Sequence, residues 1–376
     1  MSISSVDQWT GSFRDVLIGA VCRVLSLAIH RQSPPPNLSS VARLLVLKPC
    51  CLGDLLLATP AIAALRRSFP RAHLTVATGA WARPAVDNNP DLDAVLEIPP
   101  VVKGPGALWG LAKPLRRGRF DAVVVLDRSP LVSLAAFLAG ISVRAGLDSG
   151  GRGFSLTHPV STSPQRHEAS LYVDAIRCLA PHAGVPGLRF FPAAEDVAWA
   201  QERLAGSSRW VAVHPGGGIN PGGTLTGKRW PAERFDSIIQ RLLDAGLSVL
   251  LAGGHEDAEA TAGIAARHGQ VLDLAGQTTF GQLGALLAEC CLFIGNDTGA
   301  LHLAVASRTP VVAIFGPSLP QVYGPWSAKA RVIYHGDQCR GCRFRGGLVA
   351  NCRNSFACTR AVTEGEVWTA AQQLLG

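Results

Sequence analysis

The sequence predicts an α/β protein made of two doubly wound, Rossmann-like domains facing each other across a cleft, with a cysteine-rich tail. Three observations predict it. Short apolar runs alternate with helical runs through both halves of the chain. That is the pattern of parallel sheets covered by helices. The loops after several of these runs are rich in Gly, His and Asp, and open parallel sheets bind ligands at such strand ends. A chain of 376 residues with 48% hydrophobic content is long enough for two cores.

The expected order is an N-terminal helix and Pro-rich linker over 1–40, a first α/β domain over 41–190, a second over 191–335, and a tail with a closing helix over 336–376. Residues 10–31 read as one helix, with Val16, Leu17, Ala20, Val21, Val24, Leu25 and Ala28 at helical spacing and Arg14, Arg23 and Arg31 among them. It fits either an amphipathic helix on an anionic membrane face or a helix packed on its own domain. Ser33-Pro34-Pro35-Pro36 ends it. Arg43–Leu47 is a short strand, 55–69 a helix stopped by Pro70, and 73–77 the next strand. Strands are then expected at 94–98 and 121–126, a helix over 133–139, an edge strand at 144–147 and a helix over 166–182.

The Pro-, Gly- and Ala-rich stretch from Pro181 to about Ala205 marks the junction. The second alternation has strands at 210–213, 248–252, 271–274, 290–294 and 311–315. Its helices cover 232–244, the run opened by Gly253-Gly254-His255-Glu256-Asp257, 280–289 and 301–306.

Only 16% of residues are charged and the net charge is +8. The low charge hints at an interface or membrane contact, and the positive balance favours anionic partners. Aromatics are 6% of the chain with no basic-aromatic run, which argues against nucleic acid. The N-terminal apolar run carries Arg23 at its middle, with no small-residue cleavage site after it. No run reaches the length of a membrane span. The expected location is therefore the cytoplasm, with the inner-membrane surface as a peripheral contact, where cysteines are thiols or metal ligands.

The chemistry concentrates in four loops. Gly295-Asn296-Asp297-Thr298-Gly299 stops a strand and turns straight into a helix. Such a turn aims backbone N–H groups at an anion above the sheet, although Asp297 and Thr298 also suit plain N-capping. Asp54 follows Gly53 at another strand-to-helix turn. It fits a helix cap or a general base able to take a proton from a hydroxyl. The loop 214–230 is Gly-rich but holds no Gly-Lys-Ser/Thr, so a P-loop kinase or ATPase is not indicated. Lys228 with Arg229 suits a pyrophosphate clamp or a solvated charge pair. Glu256 could hold a ribose through its hydroxyls or cap a helix.

These residues, in order, resemble the bacterial ADP-heptose:lipopolysaccharide heptosyltransferases, glycosyltransferase family 9. The segment Leu45 to Phe69 (LVLKPCCLGDLLLATPAIAALRRSF) resembles the family's opening. So do His214-Pro215-Gly216, Lys228-Arg229-Trp230-Pro231, Gly253-Gly254, Asn296-Asp297-Thr298-Gly299 with His302, and Phe315-Gly316-Pro317. The resemblance runs from about residue 42 to 335. It implies a GT-B fold and transfer of a heptose from ADP-heptose with inversion and no required cofactor. Asp54 matches the catalytic base. Thr224 and Lys228 match the donor-phosphate residues, Glu256 the ribose contact, and Asp297, Thr298, Gly299 and His302 the site for the sugar and its diphosphate. The acceptor implied is a lipopolysaccharide core or related anionic glycan, with Arg128, Arg144 and Arg166 as candidate contacts. The alternatives are the same fold acting with another nucleotide sugar or on a protein, and a non-catalytic nucleotide-sugar-binding protein.

Three features depart from the family. Cys50-Cys51 stand where small hydroxyl residues are common, the loop 219–226 is long, and the tail carries Cys339-x2-Cys342-x9-Cys352-x5-Cys358. Four cysteines in a polar, Gly-rich stretch fit a structural Zn or Fe site, disulfides or free thiols, and the first pair has zinc-knuckle spacing.

Overall fold

The computed structural model describes residues 13–29, 41–100, 105–163, 165–207, 209–217, 219–220, 223–336, 352 and 354–376. The chain divides into two compact units after Pro186.

The first unit has helix α1 (Phe13–Ala28) within the 10–31 read from periodicity; residues 10–12, 30 and 31 lie outside the described residues. Its sheet has strands β1 (Arg43–Leu47), β2 (His73–Thr78), β3 (Ala94–Glu97), β4 (Ala122–Val125), β5 (Val143–Asp148) and β6 (His158–Ser161). The strand order is β3-β2-β1-β4-β5-β6, and every pairing is parallel. The edge strand expected at 144–147 is instead interior. It lies between β4 and β6, because His158–Ser161, too polar to read as a strand, pairs along its free side. Helix α2 (Leu52–Ser68) is buried on all sides from Leu55 to Leu65, so it reads as a continuous apolar run rather than a stripe. Helices α3 (Pro105–Arg117), α4 (Pro130–Leu138) and α5 (Glu168–Arg177) follow. Leu111, Ala112 and Leu115 of α3 and Val132, Ala135 and Ala136 of α4 pack on Leu45, Leu47, Val123 and Val125 of the sheet.

The second unit repeats the plan. After α6 (Ala194–Arg203) come β7 (Trp210–His214), a two-residue hairpin of β8 (Ile219–Asn220) and β9 (Gly223–Thr224), and α7 (Ala232–Asp244). Then follow β10 (Ser248–Leu251), α8 (Ala258–Arg267), β11 (Leu272–Asp273), α9 (Phe280–Glu289) and β12 (Cys290–Asn296). The unit ends with α10 (Gly299–Ala306), β13 (Val311–Phe315), α11 (Pro320–Tyr323), β14 (Ala330–Tyr334), α12 (Ala357–Arg360) and α13 (Glu364–Leu375). Its sheet runs β11-β10-β7-β12-β13-β14, all parallel. Renumbered from the first strand of each sheet, both orders are 3-2-1-4-5-6, the doubly wound order.

Helix α7 shows why the pattern is legible. Phe235, Ile238, Ile239 and Leu242 fall at i, i+3, i+4 and i+7, and all are fully buried. Helix α9 is started by a capping box, with Thr279 Oγ1 accepting from Gln282 N and Gln282 Oε1 accepting from Thr279 N. The tail helix α13 belongs to this core: Val367 and Ala371, with Val362 just before the helix, pack with α7 and the sheet. Trp230 Nε1 donates to Val362 O at 2.9 Å.

Candidate functional site

In the first unit the candidate residues gather where β1 and β4 end. Lys48, the residue after β1, is 1% exposed. Its Nζ lies 3.0 Å from Asp54 Oδ2 and 3.9 Å from Asp127 Oδ2. Burial alone would drive this ammonium toward neutrality, but the two carboxylates outweigh it and hold its pKa above the ordinary lysine value. Asp54 sits in the first turn of α2, where a carboxylate also meets the positive end of the helix. Asp127, after β4, accepts from Ser129 N at 2.8 Å. Cys50 and Cys51 form the turn between Lys48 and Asp54. Their sulphurs are paired with each other, and Cys51 has φ 78°. The reducing-compartment reading expected thiols there.

Of the three arginines considered for the acceptor, each has a different setting. Arg128 is buried and pairs with Glu168 at 2.7 Å. Burial raises the pKa of Glu168, Arg128 works against that, and the nearby Asp54 charge adds to the rise. Arg144 is also buried. Its guanidinium donates to the carbonyls of Ser155, Ile141 and Ser142, so it braces the β5–β6 connection rather than facing a ligand. Arg166 is about half exposed and pairs with Asp174.

In the second unit the candidates gather where β7 and β12 end. Lys228 Nζ donates to Asp297 Oδ2 at 2.6 Å, and Ser318 Oγ donates to the same oxygen. Burial would raise the pKa of Asp297, but Lys228, Ser318 and His302 together bring it below the ordinary carboxylate value. His302 is buried one turn along α10. Asn296, fully buried, ties three segments together. Its side chain accepts from Trp230 N and donates to the carbonyls of Pro215 and Gly216, each at 3.0 Å. Thr298 is the N-cap residue of α10 but makes no side-chain cap bond. Its hydroxyl lies 3.3 Å from His214 Nδ1 instead. The first-turn N–H groups of α10 are therefore not capped by that side chain, which suits an anion. Gly299 opens the helix.

Sequence reasoning missed Asp257, the residue that organises this half. It is 1% exposed. It accepts from Gly217 N at 2.9 Å, Gly254 N at 3.1 Å and Arg229 Nη2 at 3.0 Å, and His214 Nε2 lies 3.4 Å away. Burial opposes its ionisation, yet the His214 contact and the two N–H groups bring its pKa down to about 2. Gly216 has no side chain because a Cβ there would run into this carboxyl. Glu256 beside it is exposed in a short 3-10 turn. Arg229 also donates to Gly217 O at 2.7 Å, so it braces the loop while Lys228 faces Asp297. The backbone of Thr224 lies in β9; its side chain is outside the described residues.

The tail cysteines divide. Cys339 and Cys342 lie outside the described residues, Cys352 is half-buried and Cys358 is buried against the second unit. Among the described residues no group of three or more His, Cys, Asp or Glu is placed to hold a metal.

Comparison with known proteins decides the family. The family model for glycosyltransferase family 9 (heptosyltransferase) matches residues 108–350. The chain belongs to glycosyltransferase family 9. This transferase is 29% identical over 314 residues to lipopolysaccharide heptosyltransferase 2 of Escherichia coli K12, covering 77% of this chain and 87% of the relative. It superposes on the structure of E. coli ADP-heptose lipopolysaccharide heptosyltransferase II with a TM-score of 0.70 at 25% identity, over 89% of this chain and 98% of the other. A family 9 glycosyltransferase from Veillonella parvula shares the fold, with a TM-score of 0.75 at 24% identity over 92% and 99% of the two chains. The two sheets of this transferase are thus those of the GT-B fold expected from the sequence, and its activity is glycosyl transfer.

Proposed function

We propose that this transferase moves a heptose from ADP-heptose to a hydroxyl of a lipopolysaccharide core, inverting the anomeric centre in one displacement. The observation that carries the reading is the Lys228–Asp297 pair at the uncapped start of α10, together with the relatives' names. In the reaction the acceptor O–H gives its proton to Asp54, its oxygen bonds to the anomeric carbon, and the bond from that carbon to the diphosphate breaks. Lys228 and the N–H groups at the start of α10 take up the charge that develops on ADP. Glu256, exposed beside the Asp257 turn, holds the ribose hydroxyls, while Thr224, Thr298, Gly299 and His302 shape the diphosphate and sugar site. Lys48, 3.0 Å from Asp54 Oδ2, fixes its orientation. An anionic acceptor meets the first unit, where Arg166 is the exposed member of the three arginines. The setting is the cytoplasmic face of the inner membrane. Among the described residues no helix is long and apolar enough to cross a membrane. A structural zinc or iron at Cys339, Cys342, Cys352 and Cys358 belongs to the same proposal. Four thiolates would complete such a site and leave no position open for catalysis, and elemental analysis of the purified protein against a Cys352→Ser/Cys358→Ser variant tests it.

The deciding experiment is turnover with ADP-heptose and deacylated core acceptors, beside Asp54→Ala. Acceptor-dependent ADP release that falls at least about 10²-fold in the variant supports the transfer and the base. Binding of a different nucleotide sugar in place of ADP-heptose would discard the heptose, and equal turnover by the variant would discard Asp54 as the base.

A further inference from the structure

Helix α3 carries a surface to which the proposed reaction assigns no role. Its inner face, Leu111, Ala112 and Leu115, is buried against the first unit's sheet and α4. Its outer face presents Trp109, Lys113, Arg116 and Arg117, all exposed, with exposed Arg119 just beyond the helix. Residues 109, 113 and 116 stand at i, i+4 and i+7, so they line one stripe about 10 Å long. Trp109 is 58% exposed, an unusual setting for an indole on a helix with a well-packed opposite side. From Ile98 to Phe120 the sequence has no Asp or Glu. Among the described residues no ion pair engages any of these four cations. The nearest carboxylate in sequence, Asp121, is occupied with the backbone N–H groups of Ala42 and Arg43.

We propose that the outer face of α3 docks this protein on an anionic phospholipid bilayer. The helix would lie along the surface, with Lys113, Arg116, Arg117 and Arg119 among the headgroup phosphates and Trp109 at the headgroup level. An aromatic anchor flanked by basic side chains, over an apolar inner face already used by the protein, is the chemistry of interfacial attachment rather than insertion. A solvated basic face at a helix C-terminus would need the cations alone; it would not need an exposed tryptophan one turn before them. This inference rests on α3 and does not depend on the donor or acceptor assignment.

The test uses the full chain and sedimentation with two vesicle types, phosphatidylcholine alone and phosphatidylcholine mixed with phosphatidylglycerol. Binding to the mixed vesicles only, weakening as salt is raised, is expected. Each basic residue near such a surface contributes about fivefold in partitioning, so Lys113→Gln/Arg116→Gln/Arg117→Gln should bind about 100-fold more weakly. Acyl-chain-brominated lipid should quench part of the tryptophan fluorescence, and Trp109→Phe should remove that quenched part. This second readout stands even where the triple variant fails to fold. No binding to mixed vesicles, equal binding by a folded triple variant, or quenching unchanged in Trp109→Phe would overturn the proposal. So would a triple variant that keeps vesicle binding but loses turnover on a soluble acceptor, which would assign the face to the acceptor.

Discussion

Asp257→Asn isolates the charge that holds the donor-side loops. The substitution keeps the shape of the side chain and removes its negative charge from between His214, Arg229 and the N–H groups of Gly217 and Gly254. The carboxyl's pKa falls from 3.8 to about 2 in the folded protein. A depression of that size corresponds to about 2.4 kcal/mol at neutral pH. The exposed flank of the turn at Gly254 to Glu256 admits water, so solvent screening brings the expected effect to about 1–2 kcal/mol. Because the folded pKa is the lower one, this stability is fully present above the ordinary carboxylate pKa and is lost as pH falls through about 2. Linkage gives the shape: a little over half of the contribution remains at about pH 3 and roughly a sixth at about pH 2. The assay is urea unfolding of wild type and variant at neutral pH and at steps down to pH 3. The buried Trp230, within the second unit's core, is one reporter of that unit. The variant should be less stable at neutral pH, and the gap should narrow on acidification. A gap that stays constant from neutral pH to pH 3, or no gap at all, would refute the reasoning.

Two further substitutions test the remaining geometry. Lys48→Met removes a buried cation from between Asp54 and Asp127. It should cost about 3–5 kcal/mol in stability, read by urea unfolding, and lower kcat in the folded variant, because Asp54 loses the partner that fixes its orientation. A folded variant with wild-type stability and kcat would refute that positioning role. Gly216→Ala places a methyl group against the Asp257 carboxyl; a loss of about 1–3 kcal/mol in thermal unfolding is expected, with donor KM raised more than kcat is lowered.

Much of the fold was legible because its periodicities are clean. Helices 232–244 and 280–289 have the bounds read from the sequence, since each carries an apolar stripe ended by a strand signal or a cap. β6 was not legible: its half-buried and exposed positions alternate but none is fully buried, His-Pro-Val-Ser carries no run of apolar residues, and its place comes from pairing with β5. Helix α3 was hidden by Pro105 and Pro114 and by glycines at 106 and 110, although Pro at a helix start is favourable. The closing helix of the tail was expected from the sequence, but its packing on the second unit through Val367 and Ala371 is tertiary information.

Site legibility followed a different rule. Asp54, Lys228 and Asp297 stand at strand-to-helix turns, and their residue types suggest a ligand or a partner directly. Asp257 was passed over in favour of its neighbour Glu256, because both follow Gly253-Gly254 and sequence does not say which one turns inward. The 3-10 turn decides it: Asp257 is buried under the loop and Glu256 is exposed. A signal was present in the glycine at 216, which a distant side chain would have to explain, but its partner is 41 residues away in sequence (257 − 216). Arg144 shows the converse, since its placement on a strand looks like ligand contact until its three backbone carbonyl partners are seen.

The two halves reach similar arrangements from different residues. In the first unit Lys48 and Asp54 follow β1, and Asp127 follows β4, the neighbouring strand. In the second unit His214 and Gly217 follow β7, and Asp297 and Thr298 follow β12, again its neighbour. These are the first and fourth strands of each sheet, where the chain direction of the doubly wound order reverses and adjacent loops part. In each unit a lysine closes on an aspartate beside that point, at 3.0 Å in the first and 2.6 Å in the second. A fixed counter-charge orients an aspartate before any ligand arrives, which reduces the reorganisation needed during reaction. In the reaction proposed above, the first unit's pair would supply the proton acceptor and the second's a cation beside a helix start for the departing diphosphate.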